Sequence, residues 1–350
     1  MDVAVIGASG DCGREIVAQL VGVGALEPTE RLQLVGRMDG RSAKLLFGLC
    51  SDLEDAYAEK APSLDVALTP AEIVGDIIVM AAGATVGGKL ASRADLAAVN
   101  RSVFEGYARA IARYGYGHEV VIIVTNPVEL AVEIFSRYLG RQRVIGVGAY
   151  SDSLRFRREL AADLGMRRQL VQAFIIGEHG ENMVPLWSSL RIYGLSGEEL
   201  RQARQRLQRD RRSRDFPDEV QREKQRVGEY LQVDAIQQAY QYVGSLPPDL
   251  RVAVKPFVTH FSGAKTVAAT ANVTVDLVQT LLEGRETVIA GQVQLNGEFY
   301  GLHAPLGVPI VVTPAGWTQV MPLQLWAEEV QLLELAAERI LAQLASGASA

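Results

Sequence analysis

The sequence predicts an α/β protein: a doubly wound parallel-sheet domain over residues 1–149, then a mixed α+β domain over residues 150–350. Three observations predict it. Uniformly apolar runs alternate with amphipathic stretches through the first half, a glycine-spaced loop follows the first of those runs, and the pattern changes near residue 150. Strands covered on both faces by crossover helices read as continuous Val/Ile/Leu runs, so the alternation implies a parallel sheet.

Taken in order, "VAVIG" (3–7) predicts a strand and "REIVAQLVGVG" (14–24) its helix, "LQLVG" (32–36) the next strand and "SAKLLFGLCSDLEDA" (42–56) its helix. "DIIVMAAG" (76–83) pairs with "RADLAAVNRSVFEGYARAIARYG" (93–115), and "VVIIVTNP" (120–127) with "VELAVEIFSRYL" (128–139), before a last strand in "RVIGVGAY" (143–150). Ligands of such sheets lie beyond the carboxyl ends of the strands, so "GASGDCG", "VGR", "AAGA", "VTNP" and "GAY" are expected to line one crevice. In the second half, "QLVQAFIIGEHG", "GQVQLNGEFYG" and "VPIVVTPAG" predict strands of a mixed sheet, and "LQLWAEEVQLLELAAERILAQLA" a long C-terminal helix. The Arg-rich stretch 197–230 predicts a solvated helical pair broken near Pro217, inserted in the second domain.

Composition narrows the function. A chain of 350 residues, 48% hydrophobic and 22% charged, can bury a large core, and a net charge of −6 argues against whole-surface attraction to nucleic acid or anionic membranes. No apolar run approaches the ~20 residues needed to span a bilayer, no basic region precedes the apolar start, and the two cysteines form neither a CxxC nor a secreted pattern. The expectation is a cytoplasmic protein with a small-molecule ligand, no nucleic-acid or membrane partner, and no metal site.

Gly7, Gly10 and Gly13 stand between a predicted strand and a predicted helix. Glycines there permit a tight turn and the close approach of a pyrophosphate, whose charge faces the helix N-terminus. The pattern predicts the dinucleotide loop of a Rossmann domain, with Ser9, Asp11 and Cys12 sharing it. Ala82 and Gly83 follow the strand of "DIIVMAAG" into the same crevice. An NAD site normally carries an acid roughly twenty residues past the loop for the adenosine ribose. Here Gly36 holds that place and Arg37 follows, with Arg41 and Ser42 nearby. A guanidinium suits a 2′-phosphate, so NADP is expected; NAD remains open, with Asp39 swinging in.

"VTNPVE" (124–129), "SDSLRFRRELAADLG" (151–165) and "GEHGENMVP" (177–185) make the chain resemble the L-lactate/L-malate dehydrogenase family, as do "DLEDA" (52–56), "SRADLAAVN" (92–100) and "GEFYGLHAPLGVPIVV" (297–312). The resemblance covers most of the chain in order. It implies hydride transfer between NAD(P) and an L-2-hydroxy acid/2-oxo acid pair, most like malate/oxaloacetate. It also implies roles: His179 as proton donor and acceptor, Asp152 as the carboxylate that fixes its tautomer, and Arg155, three residues on, as the clamp for the substrate carboxylate. Arg93 matches the mobile-loop arginine that polarises the carbonyl, and Asn126 would hold nicotinamide and substrate. Six residues before Arg93, where the family carries its side-chain selector, stands Gly87; Lys89 or Lys265 is then expected to supply the cation for a second carboxylate, or the space admits larger apolar acids. The resemblance further implies a homodimer or homotetramer. The alternative from another class is a catalytically weak nucleotide-binding sensor or assembly protein on the same fold.

Overall fold

The structure, a computed structural model, describes residues 1–84 and 93–346, with backbone alone at 93–96. The strands are β1 (Val3–Ile6), β2 (Arg31–Val35), β3 (Ser63–Ala67), β4 (Ile77–Met80), β5 (Val120–Ile123) and β6 (Val144–Gly146) in the first half. β7 (Val171–Gln172), β8 (Ile175–Gly177), β9 (Met183–Pro185), β10 (Arg191–Ile192), β11 (Thr287–Gln294), β12 (Pro305–Thr313) and β13 (Gly316–Val320) follow. The helices are α1 (Asp11–Gly22), α2 (Arg41–Ala56), α3 (Arg93–Tyr114), α4 (Val128–Leu139), α5 (Gly148–Leu164), α6 (Gly197–Gln208), α7 (Phe216–Gln232), α8 (Ile236–Ser245), α9 (Pro248–Phe261), α10 (Val267–Leu282) and α11 (Ala327–Ser346).

The first six strands run parallel in the order β3-β2-β1-β4-β5-β6, the doubly wound arrangement expected from the apolar runs. β1, β4 and β5 are buried throughout, as strands covered by helices on both faces must be. β3 was not anticipated: "SLDVA" places polar Ser63 and Asp65 in a short edge strand and so lacks the apolar signature of its neighbours. The other difference lies at "GVGAY". The strand stops at Gly146, and Gly148–Tyr150 already form the first turn of α5, because the chain must turn down onto the sheet there.

The second half continues the same sheet. β11 pairs antiparallel with β6 through Gln292 and Gly146, then with β12 along its length, and β12 leads to β8 and β9. Gln292, fully buried, also accepts the first-turn amide of Ala149 at 3.0 Å, satisfying one of the donors that a helix start leaves free. The C-terminal helix α11 packs Leu333, Ala336, Ala337 and Ile340 into the core beneath β8 and β9.

The Arg-rich stretch forms α6 and α7, with Pro217 in the first turn of α7. The pair is anchored as well as solvated: Ala203, Leu207, Phe216, Val220 and Val227 join a core with Phe156 and Trp187, whose rings meet edge-on at 5.3 Å, an arrangement worth about 1 kcal/mol beyond burial. Arg211 bridges to Glu219 and, at 2.8 Å, to Asp249, so one arginine of the run belongs to the interior. Among the described residues no helix is long and apolar enough to cross a membrane, and no group of acidic, His or Cys side chains could hold a metal ion.

α5 is fastened to α9 by Arg251, 6% exposed, which donates to Glu159 at 2.7 Å, to Asp163 at 2.6 Å and to the Leu246 carbonyl at 2.8 Å. Removing the guanidinium would leave Glu159 buried with less than its full complement of charge. Arg251→Ala is therefore expected to lose about 3 kcal/mol in urea denaturation. An unchanged midpoint would show that this ion cluster does not hold the helix.

Candidate active site

At the carboxyl end of β1 the amides of Gly7 and Ala8 donate to Val35 of β2, at 2.9 and 3.2 Å, and Gly10 donates back to Gly7 at 2.9 Å. Gly7 has φ +85°, and a Cβ there would lie 2.7 Å from the Ala82 backbone. A Cβ on Gly13 would lie 2.2 Å from the Gly7 carbonyl. The loop thus closes onto the start of α1 only because side chains are missing, and the first-turn amides of Asp11, Cys12 and Gly13 are left pointing out of the helix. That cradle fits the pyrophosphate of a dinucleotide.

Gly36, buried just past β2, stands where the usual acid is expected; a Cβ there would lie 2.5 Å from Leu46 and 2.6 Å from the Ser42 hydroxyl, so those two side chains would have to shift. Ser42 instead reaches the Ser9 hydroxyl at 2.8 Å and accepts the Arg37 amide at 3.2 Å. The Arg37 side chain, 78% exposed, pairs loosely with Asp39 at 3.5 Å. Both partners stand in solvent, where such pairs contribute little and reorient freely.

The loops after β4 and β5 are tied together by Asn100 of α3, which is fully buried. Its Oδ1 accepts the Ala84 amide at 2.7 Å and its Nδ2 donates to the Asn126 carbonyl at 2.8 Å. Gly83, expected in the crevice, packs against the same side chain and Thr125. Asn126 itself is exposed just beyond β5.

His179 follows β8, whose end requires glycine: Gly177 has φ +84° and a Cβ there would meet the Asn182 carbonyl at 2.8 Å. Ser153 of α5 fastens the strand to the helix by bonding both the amide (2.9 Å) and the carbonyl (3.2 Å) of Ile175. One residue before it on α5, Asp152 is 1% exposed and its Oδ2 lies 2.8 Å from His179 Nδ1. With Nδ1–H donating to Asp152, Nε2 is left to face a substrate. The His179 side chain packs against the start of α5, where a Cβ on Gly148 would come within 2.4 Å of its ring. From one turn further along, Arg155 Nη1 reaches Asp152 Oδ1 at 2.9 Å, and no other hydrogen bond engages its guanidinium among the described residues. Its remaining nitrogens can take a carboxylate.

The charges are arranged to keep His179 protonatable. Burial disfavours its imidazolium, but the Asp152 carboxylate outweighs that and raises the His179 pKa above its ordinary value. Asp152, although buried, is held below the usual carboxylate range by His179 and Arg155. A second carboxyl, Glu129 in the first turn of α4, accepts the His179 backbone amide at 2.7 Å. Burial pushes Glu129 up to about 7, so near neutrality it adds only part of a negative charge beside the ring.

The structure thus brings together His179, Asp152 and Arg155, and separately Gly7, Gly10, Gly13, Gly36, Ser9 and Ala82. Lys265, expected near the substrate, instead reaches Asp11 at 2.9 Å at the head of α1, because its loop precedes α10, which packs on α1. Arg93 opens α3, but its side chain lies outside the described residues, as do Gly87 and Lys89 entirely. Sequence reasoning missed Asn100, Ser153, Gly148 and Glu129. Asn100, Ser153 and Glu129 lie within the segments that carried the resemblance and Gly148 within the "GAY" expected to line the crevice, but each acts through a contact between backbone and side chain across a long separation, which no local pattern announces.

Two family models match the chain: "lactate/malate dehydrogenase, NAD binding domain" over residues 1–146 and "lactate/malate dehydrogenase, alpha/beta C-terminal domain" over residues 151–229. A malate dehydrogenase of Methanothermobacter thermautotrophicus is 34% identical over 200 residues, 56% of this chain and 59% of that protein. An L-2-hydroxycarboxylate dehydrogenase (NAD(P)(+)) of Methanocaldococcus jannaschii is 26% identical over 349 residues, 97% of both chains. Among solved structures, a lactate dehydrogenase from Cryptosporidium parvum, complexed with lactic acid and nicotinamide adenine dinucleotide, shares the fold with a TM-score of 0.78 at 20% identity, covering 100% of this chain and 98% of that one.

Two consequences of this geometry can be measured. Asp152→Asn removes the counter-charge, so the pH above which 2-oxo acid reduction declines is expected to fall by about one unit or more, with turnover down about 100-fold. An unmoved alkaline limb would mean that Asp152 does not govern the proton on His179. Gly148→Ala adds a methyl where the imidazole lies and should cut kcat at least tenfold while leaving cofactor affinity intact; equal loss of both would indicate general misfolding of the crevice.

Proposed function

The chain belongs to the lactate/malate dehydrogenase family of oxidoreductases, and we propose that it acts as an NADP-preferring dehydrogenase of an L-2-hydroxy acid of the malate/oxaloacetate kind. The observation that carries the reading is the His179–Asp152–Arg155 cluster, in which one buried carboxylate orders both a proton carrier and a carboxylate clamp. The nicotinamide dinucleotide, when bound, supplies or takes up the hydride.

The chain's own groups do the rest. Arg155 aligns the substrate carboxylate, which sets the neighbouring oxygen against His179 Nε2. In the reducing direction the imidazolium donates its proton to that oxygen; in the oxidising direction the neutral ring accepts one from the hydroxyl. Asp152 stabilises the charged ring in both directions. Arg93 is proposed to polarise the carbonyl from the first turn of α3, and Asn126 to hold the substrate side of the crevice. This division of work favours an enzyme over a nucleotide-holding scaffold.

NADP preference is supported by Gly36, which supplies no ribose-binding acid at the end of β2, and by the exposed Arg37 beside it. A dicarboxylic substrate is supported by the relatives named malate dehydrogenase, with Lys89 as its cation; Lys265 is engaged by Asp11 at the phosphate loop. Leu45 and Phe47, exposed on α2, support assembly as a homodimer or homotetramer. The proposed residue boundaries of the two functional halves remain 1–149 and 150–350.

Oxidation of NADPH and NADH, each with oxaloacetate, pyruvate and a branched-chain 2-oxo acid, tests the whole reading. Oxaloacetate with NADPH is expected to give the highest kcat/KM, and Arg37→Ser to lower it about tenfold with NADPH alone. Strong NADH preference sinks the cofactor assignment, and turnover of pyruvate above oxaloacetate sinks the substrate assignment.

A further inference from the structure

His179 is held at two points, and only one of them is its ring. Asp152 of α5 takes Nδ1, while the backbone amide of His179 donates to Glu129 Oε1, in the first turn of α4, at 2.7 Å. The second bond joins segments 50 residues apart. The chain around His179 has little stiffness of its own, since Gly177 and Gly180 flank it at φ +84° and +153°. β8 stops at Gly177, and the amide of Glu178 meets the Asn182 carbonyl only at 3.4 Å, a long hydrogen bond. The main chain that carries the imidazole therefore depends on its contact with Glu129.

A carboxylate is a costly choice for that task. Glu129 is 7% exposed, and a glutamine would accept the same amide without burying a charge. What the carboxylate adds is a negative charge at the start of α4, and the cation acting on it most among the described residues is the imidazolium of His179 itself. Glu178, from the same segment as His179, opposes that charge; it accepts Asn182 Nδ2, and Asn182 is held in turn by Arg339 of α11. On the ring, Asp152 of α5 and Glu129 both favour the protonated form, while Arg155 of α5 disfavours it. Glu129 thus works on the proton carrier from the side opposite its known partner, through the main chain and through its field.

We propose that Glu129 is a positioning residue for His179: its one carboxylate fixes the main chain that bears the imidazole and adds negative charge that keeps the ring protonated. The two contributions are separable, because a side chain can retain either without the other. Loss of the charge destabilises the imidazolium, so the ring gives up its proton at lower pH. The alkaline limb of 2-oxo acid reduction, which needs the imidazolium, and the acid limb of hydroxy-acid oxidation, which needs the neutral ring, then both move down. The effect on turnover rests on the assignment of His179 as proton carrier, whereas the effect on the ring stands without it.

Three variants of the full chain test it. Glu129→Gln keeps an acceptor for the amide but not the charge, so both limbs should fall by about half a pH unit while the plateau kcat falls far less than in the other two. Glu129→Asp keeps the charge but is one methylene short of the amide, so the limbs should stay in place and kcat should fall about tenfold. Glu129→Met has neither property and should show both changes, with KM for the cofactor unaltered in all three. In parallel, NMR of 13C-histidine-labelled protein, with the signal assigned by His179→Asn, should show the ring of His179 titrating lower in Glu129→Gln by the same amount as the limbs. An unmoved ring titration in that variant, or wild-type turnover in Glu129→Met, overturns the proposal. So does joint loss of melting temperature, kcat and cofactor affinity with the titration unmoved, which would leave Glu129 a purely structural part. If Glu129→Met fails to fold, the contrast between the Gln and Asp variants decides. A ring titration that moves while the limbs do not refutes the assignment of His179 as proton carrier and leaves the hold of Glu129 on the ring standing.

Discussion

The hydrogen bond between Asp152 and His179 is the constraint on which the site depends. A buried carboxylate is tolerated only where its charge is matched, and Asp152 is matched twice, by the imidazole on one oxygen and by Arg155 on the other. The arrangement decides three things at once: which ring nitrogen carries the proton, how readily the ring stays charged, and where the guanidinium stands. None of these follows from the three side chains singly.

That bond survives because the elements bearing its two ends are locked together. Ser153 clips α5 to β8 through both backbone groups of Ile175, and Gly148 lets the imidazole lie on the helix. Behind them, Gln292 receives the first-turn amide of α5, and Arg251 holds the far end of the helix to α9. α5 therefore acts as a rigid ruler: polar residues at 152 and 155 face the site while Phe156 and Leu160 fill the core. The cofactor crevice is joined to this frame by Asn100, which fastens the loops after β4 and β5 to α3.

Much of this was legible in the primary sequence. The apolar runs of β1, β4 and β5 reveal a sheet covered on both faces, and the spacing of Gly7, Gly10 and Gly13 reveals a loop made for close approach, because both depend on local chemistry. His179, Asp152 and Arg155 were legible through resemblance, since their motifs survive intact. β3 was not, because an edge strand with Ser63 and Asp65 lacks the apolar signature. Nor was the destination of Lys265, whose partner Asp11 lies 254 residues away.

What the sequence determined by itself, then, is the menu: periodicity sets which segments become strands or helices, and residue type sets which groups can carry a proton, a charge or a phosphate. What only the tertiary structure decided is pairing. Asn100, Ser153, Gly148 and Glu129 matter through contacts between backbone and side chain across long separations, and Lys265 was claimed by a carboxylate that its own segment does not contain. Such pairings depend on which surfaces the packed core brings within ~3 Å, a quantity that no local pattern encodes.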